Sequence, residues 1–581
     1  MPKLPFTMYP TEDAENITME TSQASVREVL RKLPLKQAYQ VLSGAEVASV
    51  FGQLVVDSAA DVRQAVAGLA VTSVKIAYGE SQSGASDGTC TAWLYQYLTG
   101  FIPVAEQFSG LLHDSKPAVR RTTAQAYGAL AFALNEGEVR GPDYAQMRDG
   151  LRRALLATLP SLTALLADDD TEVRSATLQA LGQFKFALDS EVLPHLRAAL
   201  SDRDARIRLA AAKAMNDCLG AHAQADLAPL VEDRDDEMLD FVVEQLAKYG
   251  NPACVPVLLE RLASMPTRAV VSQIQRVGVP QALPLLTRLL STCTDNDILR
   301  EAASALIEIG EQSAIPALVK HVTHENRLVG VAVILALGRL RSHEAAPHLA
   351  KLLHPDSTVQ DWRQGIAALC LGRIGDEKHG ETLLRAFQFP NAKIQRDQLT
   401  QRYLLDALAM LKYRNALPLV RERVSSSPYG TLLLALGQLG DATDIHLLEP
   451  LRESGDGWLG SFAALAMALL DPNRFDAPAA KLLAVSPQKQ KRIETWEDQY
   501  LAMGYAWRAL ASRASSSGVA AATRQLIKET GLAWVQSFMA AMPAARDCFH
   551  GRGAFSSASM GLVLIVEDSV REAEQGLRSL P

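Results

Sequence analysis

Three things are missing from this sequence: paired cysteines, an excess of positive charge and any long uninterrupted apolar run. The six cysteines (Cys90, Cys218, Cys254, Cys293, Cys370 and Cys548) form no CxxC pair and no disulfide-like spacing. This argues against a zinc framework and a stapled secreted domain; they read as small buried hydrophobes of a reducing compartment. With 58 Lys and Arg against 65 Asp and Glu, the formal charge is -7. Nucleic-acid binders draw most of their affinity from basic charge, so a nucleic-acid partner is not expected. No window reaches the roughly 18 apolar residues of a membrane span, and the opening MPKLPFTMYPTEDAENITMETS has no apolar core of a secretory signal. The expected setting is therefore cytoplasmic, away from membranes.

What is present is a repeat. Asp57–Arg63 reads DSAADVR, Asp114–Arg120 DSKPAVR, Asp168–Arg174 DDDTEVR and Asp202–Arg208 DRDARIR. Each has an Asp six positions before an Arg that follows a β-branched residue. Arg174 to Arg208 is one period of 34, and Arg120 to Arg174 is 54, so an insertion is expected near 135–147. Prolines open apolar runs at Pro194, Pro256, Pro284, Pro316, Pro347 and Pro418, and glycines close them at Gly182, Gly310, Gly338, Gly372, Gly375, Gly437 and Gly440. Proline is tolerated in a first helical turn, and a glycine after the last turn accepts the left-handed conformation that ends a helix. Each unit is therefore two helices. In the second, Val173, Ala176, Ala180 and Leu181 form one apolar stripe.

Helical pairs with this proline, this D-x-x-x-x-V-R link and this A-L-G close resemble the HEAT repeat, in particular the short bacterial variety found in phycobilisome lyases. The resemblance is strong from about Val104 to Leu451. It implies an all-α, right-handed α-solenoid of stacked antiparallel helix pairs, with second helices on the concave side. It also implies a hydrogen-bonded ladder through Asp57, Arg63, Asp114, Arg120, Asp168, Arg174, Asp202 and Arg208. Asp295 to Arg300 is one residue short and Asp356 to Arg363 one long, so the ladder is not expected there.

The expected organisation is an irregular segment over 1–25, N-terminal repeats over 26–160 with loops at 79–89 and 135–147, a central solenoid over 161–485, and a helical cap or small appended module over 486–581. Within that last segment, Trp496, Tyr500, Tyr505 and Trp507 mark an amphipathic helix.

Several sharper readings compete with plain architecture. Gly84–Gly88 matches the G-x-S-x-G elbow of hydrolases, which needs a parallel sheet that helical surroundings do not provide. His321, His324, His343, His348, His354 and His379 lie close in sequence, but their glutamate neighbours are not placed as in iron-binding HEAT-like hydroxylases; they read as exposed inter-helix residues. Trp362, beside Asp361, could stack on a damaged base, but the acidic run Glu232–Glu237 weighs against base excision. Leu562–Ser569, LVLIVEDS, looks like the start of a receiver domain with too little chain after it; a terminal helix or strand fits better.

The function these readings favour is a non-catalytic scaffold that binds a protein partner on the concave face, without a metal or cofactor. Candidate contact residues on second helices are Gln125, Gln179, Lys213, Arg339, Trp362 and Arg363. The repeat-level resemblance leaves a phycobilisome-lyase-like activity as the alternative, with a HEAT-like DNA glycosylase behind it.

Overall fold

Aspartate and proline set where the helices begin. The computed structural model describes residues 54–83, 95, 98–136, 143–187, 191–359, 361–388, 398–453, 457–476, 479, 496–516, 518–550 and 556–580. Among these there is no strand. The chain divides into two compact units, with the boundary between Cys254 and Val255.

In the first unit the second helices are α1 (Ala60–Ser83), α2 (Pro117–Glu136), α3 (Thr171–Leu181), α4 (Ala205–Leu219) and α5 (Asp236–Lys248). In the second unit they are α6 (Arg268–Val277), α7 (Asn296–Ile309), α8 (Arg327–Arg339), α9 (Arg363–Ile374), α10 (Gln398–Met410), α11 (Gly430–Leu439) and α12 (Gly457–Leu470). Consecutive second helices pack side by side within each unit, and from α6 to α12 each rests on its own first helix. Three further helices follow: α13 (Trp496–Ala514), α14 (Ala521–His550) and α15 (Ser556–Arg578).

The prolines stand where expected, in the first turn of first helices such as Leu193–Ala199, Leu283–Thr292, Ile315–Val319, Ala346–Leu352 and Leu417–Ser426. Second helices are started by side-chain caps. Asp170 accepts from the amides of Glu172 and Val173, Asp235 from Met238 and Asn326 from Leu328 and Val329. Each such cap is worth about 1 kcal/mol. Inside α3, Val173, Ala176, Ala180 and Leu181 are all buried, the stripe expected from their spacing.

The closing glycines do two jobs, only one of which was expected. Gly310 and Gly375 end helices with φ of 73° and 81°, the left-handed conformation. Gly182, Gly338, Gly372 and Gly437 instead let neighbouring second helices approach. A Cβ on Gly372 would stand 2.6 Å from Ala407 Cα, and one on Gly182 2.9 Å from Ala214 Cα. A seam of small residues thus runs between successive second helices, at the repeat period.

Parts of the expected loops 79–89 and 135–147 are helical. Residues 79–83 continue α1, because their helix is not broken by Gly79. Tyr144 begins a 21-residue first helix, Tyr144–Ala164, so much of the extra period length is helical. Residues 1–53, including the whole 1–25 segment, and the Gly84–Gly88 motif lie outside the described residues. LVLIVEDS is the middle of helix α15, not a strand.

Candidate functional site

The acidic cluster DDDTEVR separates into two tasks. Asp170 caps α3, while Asp168 receives an arginine from the preceding unit. Arg120 donates through Nε and Nη2 to the two Asp168 oxygens at 2.6 and 2.8 Å, and through Nη1 to the Asp114 carbonyl of its own link at 2.7 Å. Arg63 does the same to Asp114 and the Asp57 carbonyl. Arg208 does so to Asp233 and the Asp202 carbonyl. Planar, bidentate pairs of this kind are the strong form of a charge-assisted hydrogen bond. The Arg120 and Arg208 bonds hold the Asp168 and Asp233 carboxyls below the usual carboxylate range, against the opposing effect of burial.

One expected rung is missing. Arg174 donates to the carbonyls of Asp168 and Asp169 and to Thr171 Oγ1 at 3.0 Å, so the ladder does not run from Arg174 to Asp202. The residue three after the link aspartate is Ala60, Pro117 or Ala205 elsewhere; only Thr171 offers a hydroxyl that holds the guanidinium back. Conversely, Asp233 of the acidic run is the ladder's last acceptor in the first unit, and Leu239 stands where the next arginine would be. In the second unit the expected departures occur. Arg300 pairs with Asp297 and Glu301, and Glu301 also takes Arg268. Arg363 pairs with Asp361 and reaches back to the His324 carbonyl at 2.8 Å, beside Gly330, whose missing Cβ leaves room for it.

The candidate contact residues fall into two groups. Gln125, Gln179 and Lys213 are exposed on α2, α3 and α4, at equivalent places in successive repeats. Lys213 Nζ lies 3.6 Å from Glu237 and 5.9 Å from the centre of the Phe241 ring, both on α5. Glu172, Glu237, Asp240 and Glu244 add exposed carboxylates to the same run of second helices. Arg339, Trp362 and Arg363 differ. Trp362 is half-buried at the start of α9, and Arg363 is buried and spent on the bonds above. Asp361, the carboxylate weighed for base excision, is held by Arg363, with Arg327 at 3.5 Å.

Arg339 is engaged from the far end of the chain. Its Nε bonds Asp568 of α15 at 3.3 Å and its Nη1 the Ile307 carbonyl at 2.8 Å. Arg373 of α9 reaches the same carboxylate at 3.1 Å, the Ile565 carbonyl at 3.2 Å and Tyr505 Oη at 3.4 Å. Arg341 pairs with Glu572, which also accepts from Arg508 of α13 at 2.6 Å. Helices α13, α14 and α15 pack on one another. In addition, α15 lies against α7 and α8, and α13 against α11 and α12, all second helices. Arg513 of α13 adds a bond to the Gln438 carbonyl at 2.8 Å and another to the Leu469 carbonyl. Within 486–581, expected to be a cap or appended module, the described helices pack on one another and lie against the second-helix side of this unit. In this unit α8 is buried continuously over Val329–Gly338 and α9 over all of Arg363–Ile374, whereas α3 leaves Gln179 in solvent.

A signal for this docking stands in the sequence. The residue after the A-L-G type glycine is Gln183 and Gln438 in two units but Arg339 and Arg373 in the two that meet Asp568. Of the histidines, His343, His348 and His354 are exposed as expected, His321 and His324 are half-buried and His379 is buried. His379 departs from expectation because it immediately precedes the helix Gly380–Gln388, whose first residue packs on the Tyr413 ring; burial lowers its pKa. Among the described residues no group of three or more His, Cys, Asp or Glu is placed to hold a metal ion. Among the same residues no helix is long and apolar enough to cross a membrane.

The HEAT-repeat family model matches residues 159–238, 267–325 and 283–367. No curated protein matches the sequence. In fold, the chain is similar to importin beta crystallised in polyethylene glycol, at 12% identity and a TM-score of 0.48, covering 96% of this chain and 88% of that one. It is also similar to Kap121p bound to Nup53p and Kap121p bound to Pho4p, each at 12% identity and a TM-score of 0.43, covering 95% of this chain and 69% of the other. Stacked helical hairpins, cap and link geometry and the family-model match together identify residues 159–238 and 267–367 as HEAT repeats within an all-α fold.

Proposed function

We propose that the protein is a non-catalytic scaffold that binds a protein partner along the second helices of its first unit, the side expected to be concave. The observation that carries this reading is the row of Gln125, Gln179 and Lys213, exposed at equivalent repeat positions beside a buried, largely apolar stripe. Extended repeat surfaces bind elongated targets through such rows. The carboxylates Glu172, Glu237, Asp240 and Glu244 beside it favour a polypeptide over a phosphate backbone, which they would repel.

The test uses the full chain as bait, with partners identified by cross-linking and mass spectrometry and their affinity then measured with purified partner. The triple variant Gln125→Ala, Gln179→Ala, Lys213→Ala is expected to weaken binding at least tenfold while leaving the melting temperature unchanged, since all three side chains are exposed. Undiminished binding by a folded triple variant refutes this surface. Binding to duplex DNA that falls steeply with salt would refute the choice of partner class.

A further inference from the structure

We propose that Arg339, Arg341 and Arg373 form a docking surface for an acidic partner helix, and that α15 occupies it as an intramolecular stand-in. This rests on the binding role proposed above and extends it to the second unit.

The surface reads a definite pattern. Asp568 and Glu572 are four residues apart, one helical turn, and so lie on one edge of α15. The first meets both Arg339 and Arg373, and the second meets Arg341. The Ile565 carbonyl, on the same edge, accepts from Arg373. A partner recognised here is therefore a helix with carboxylates at i and i+4.

The occupant is built to come away. The apolar stripe of α15, Val566, Val570, Ala573 and Leu577, is buried, and its module partners fit closely around it. Gly531 of α14 sits against Leu577, and Gly504 of α13 against Ser569. The three helices thus share a core of their own, and the groups of α15 that meet Arg339, Arg341 and Arg373 are carboxylates and a carbonyl. Ion pairs lose most of their value once water reaches them. The docked state is also imperfect. Arg373 is buried with no partner for its Nε, and Arg341, Arg373 and Arg508 crowd two carboxylates, so that burial and the neighbouring guanidiniums lower the Arg341 pKa. An unpaired buried donor and like charges both reduce the cost of undocking.

The probe is a fluorescein-labelled peptide of residues 556–578, measured by anisotropy against the full chain and its variants. The double variant Asp568→Lys, Glu572→Lys repels its own α15 edge and is expected to bind the peptide at least tenfold more tightly than the unaltered chain. Adding Arg339→Glu and Arg373→Glu to that background is expected to abolish the gain. Should the double variant not fold, as judged by circular dichroism and melting, Glu572→Gln alone carries the test, with a gain of about threefold expected for a partly exposed pair. Equal peptide affinity in the folded variant and the unaltered chain, or a gain that survives Arg339→Glu and Arg373→Glu, overturns the proposal. Either result leaves the first-unit surface to stand or fall on its own triple variant.

Discussion

Arg120 and Asp168, 48 residues apart in sequence, meet through two hydrogen bonds of 2.6 and 2.8 Å, while Arg174, which ends the very next link, meets no aspartate of the link after it. The same sequence motif therefore predicts unequal energies. Arg120→Ala leaves the nearly buried Asp168 carboxylate without its counter-charge and is expected to cost about 2 kcal/mol. Arg174→Ala removes bonds to carbonyls and a hydroxyl only, at about 1 kcal/mol. Urea unfolding of the two variants checks the order; equal losses would mean the ladder contributes nothing beyond local capping.

The ladder also makes stability depend on pH. Asp168 and Asp233 have depressed pKa values, with the arginine bonds as the largest cause. Their contribution is complete above the ordinary value of 3.8 and is lost as pH falls through the folded values. The stability difference between the unaltered chain and Asp168→Asn should be full at neutral pH and should close progressively below about pH 4. A difference that stays constant down to pH 2.5 would contradict the pairing.

The small-residue seam gives a steric prediction. Gly372→Ala puts a methyl 2.6 Å from Ala407 Cα and should destabilise by about 1–3 kcal/mol. Gly110→Ala, with φ of -57° and nothing within 4 Å, should change stability by less than about 0.5 kcal/mol. Thermal melts of both variants decide whether glycine is there for approach or only for flexibility.

Cysteine reactivity reports on the same seam. Burial pushes the Cys370 thiol up to about 12, and its sulfur lies 2.2 Å from where a Cβ on Gly338 would stand. In a chain with Cys90 and Cys548 replaced by serine, a thiol reagent at pH 8 should modify half-exposed Cys293 in the folded state and Cys370 only on unfolding. Fast labelling of Cys370 would mean that α8 and α9 part readily.

Much of this was legible before any coordinates. A link that recurs at one period, with proline before it and glycine after, repeats a local physical requirement, and the hairpins follow from it, while the rungs at Asp114 and Asp168 are those that the HEAT resemblance implies. The seam was less legible, because a glycine that ends a helix and one that admits a neighbour read alike; of the seven glycines that close apolar runs, Gly310 and Gly375 take the left-handed form. The missing rung at Arg174 depended on one hydroxyl, Thr171. The docking of α15 could not come from periodicity at all. Arg373 and Asp568 are 195 residues apart, and their meeting depends on how the terminal helices pack. Its traces were Arg in place of Gln after two glycines, and the unbroken apolar runs of α8 and α9, which have no wet side to mark.

In the ladder, every complete rung takes its donor from one link and its acceptor from the next, and both halves have the same form throughout. A hairpin inserted or deleted whole would present a matching plug to the neighbour on one flank and a matching socket on the other. Lengthening such a protein by duplication therefore requires no new joint to be invented, only that the Asp and the Arg be copied along with the helices between them.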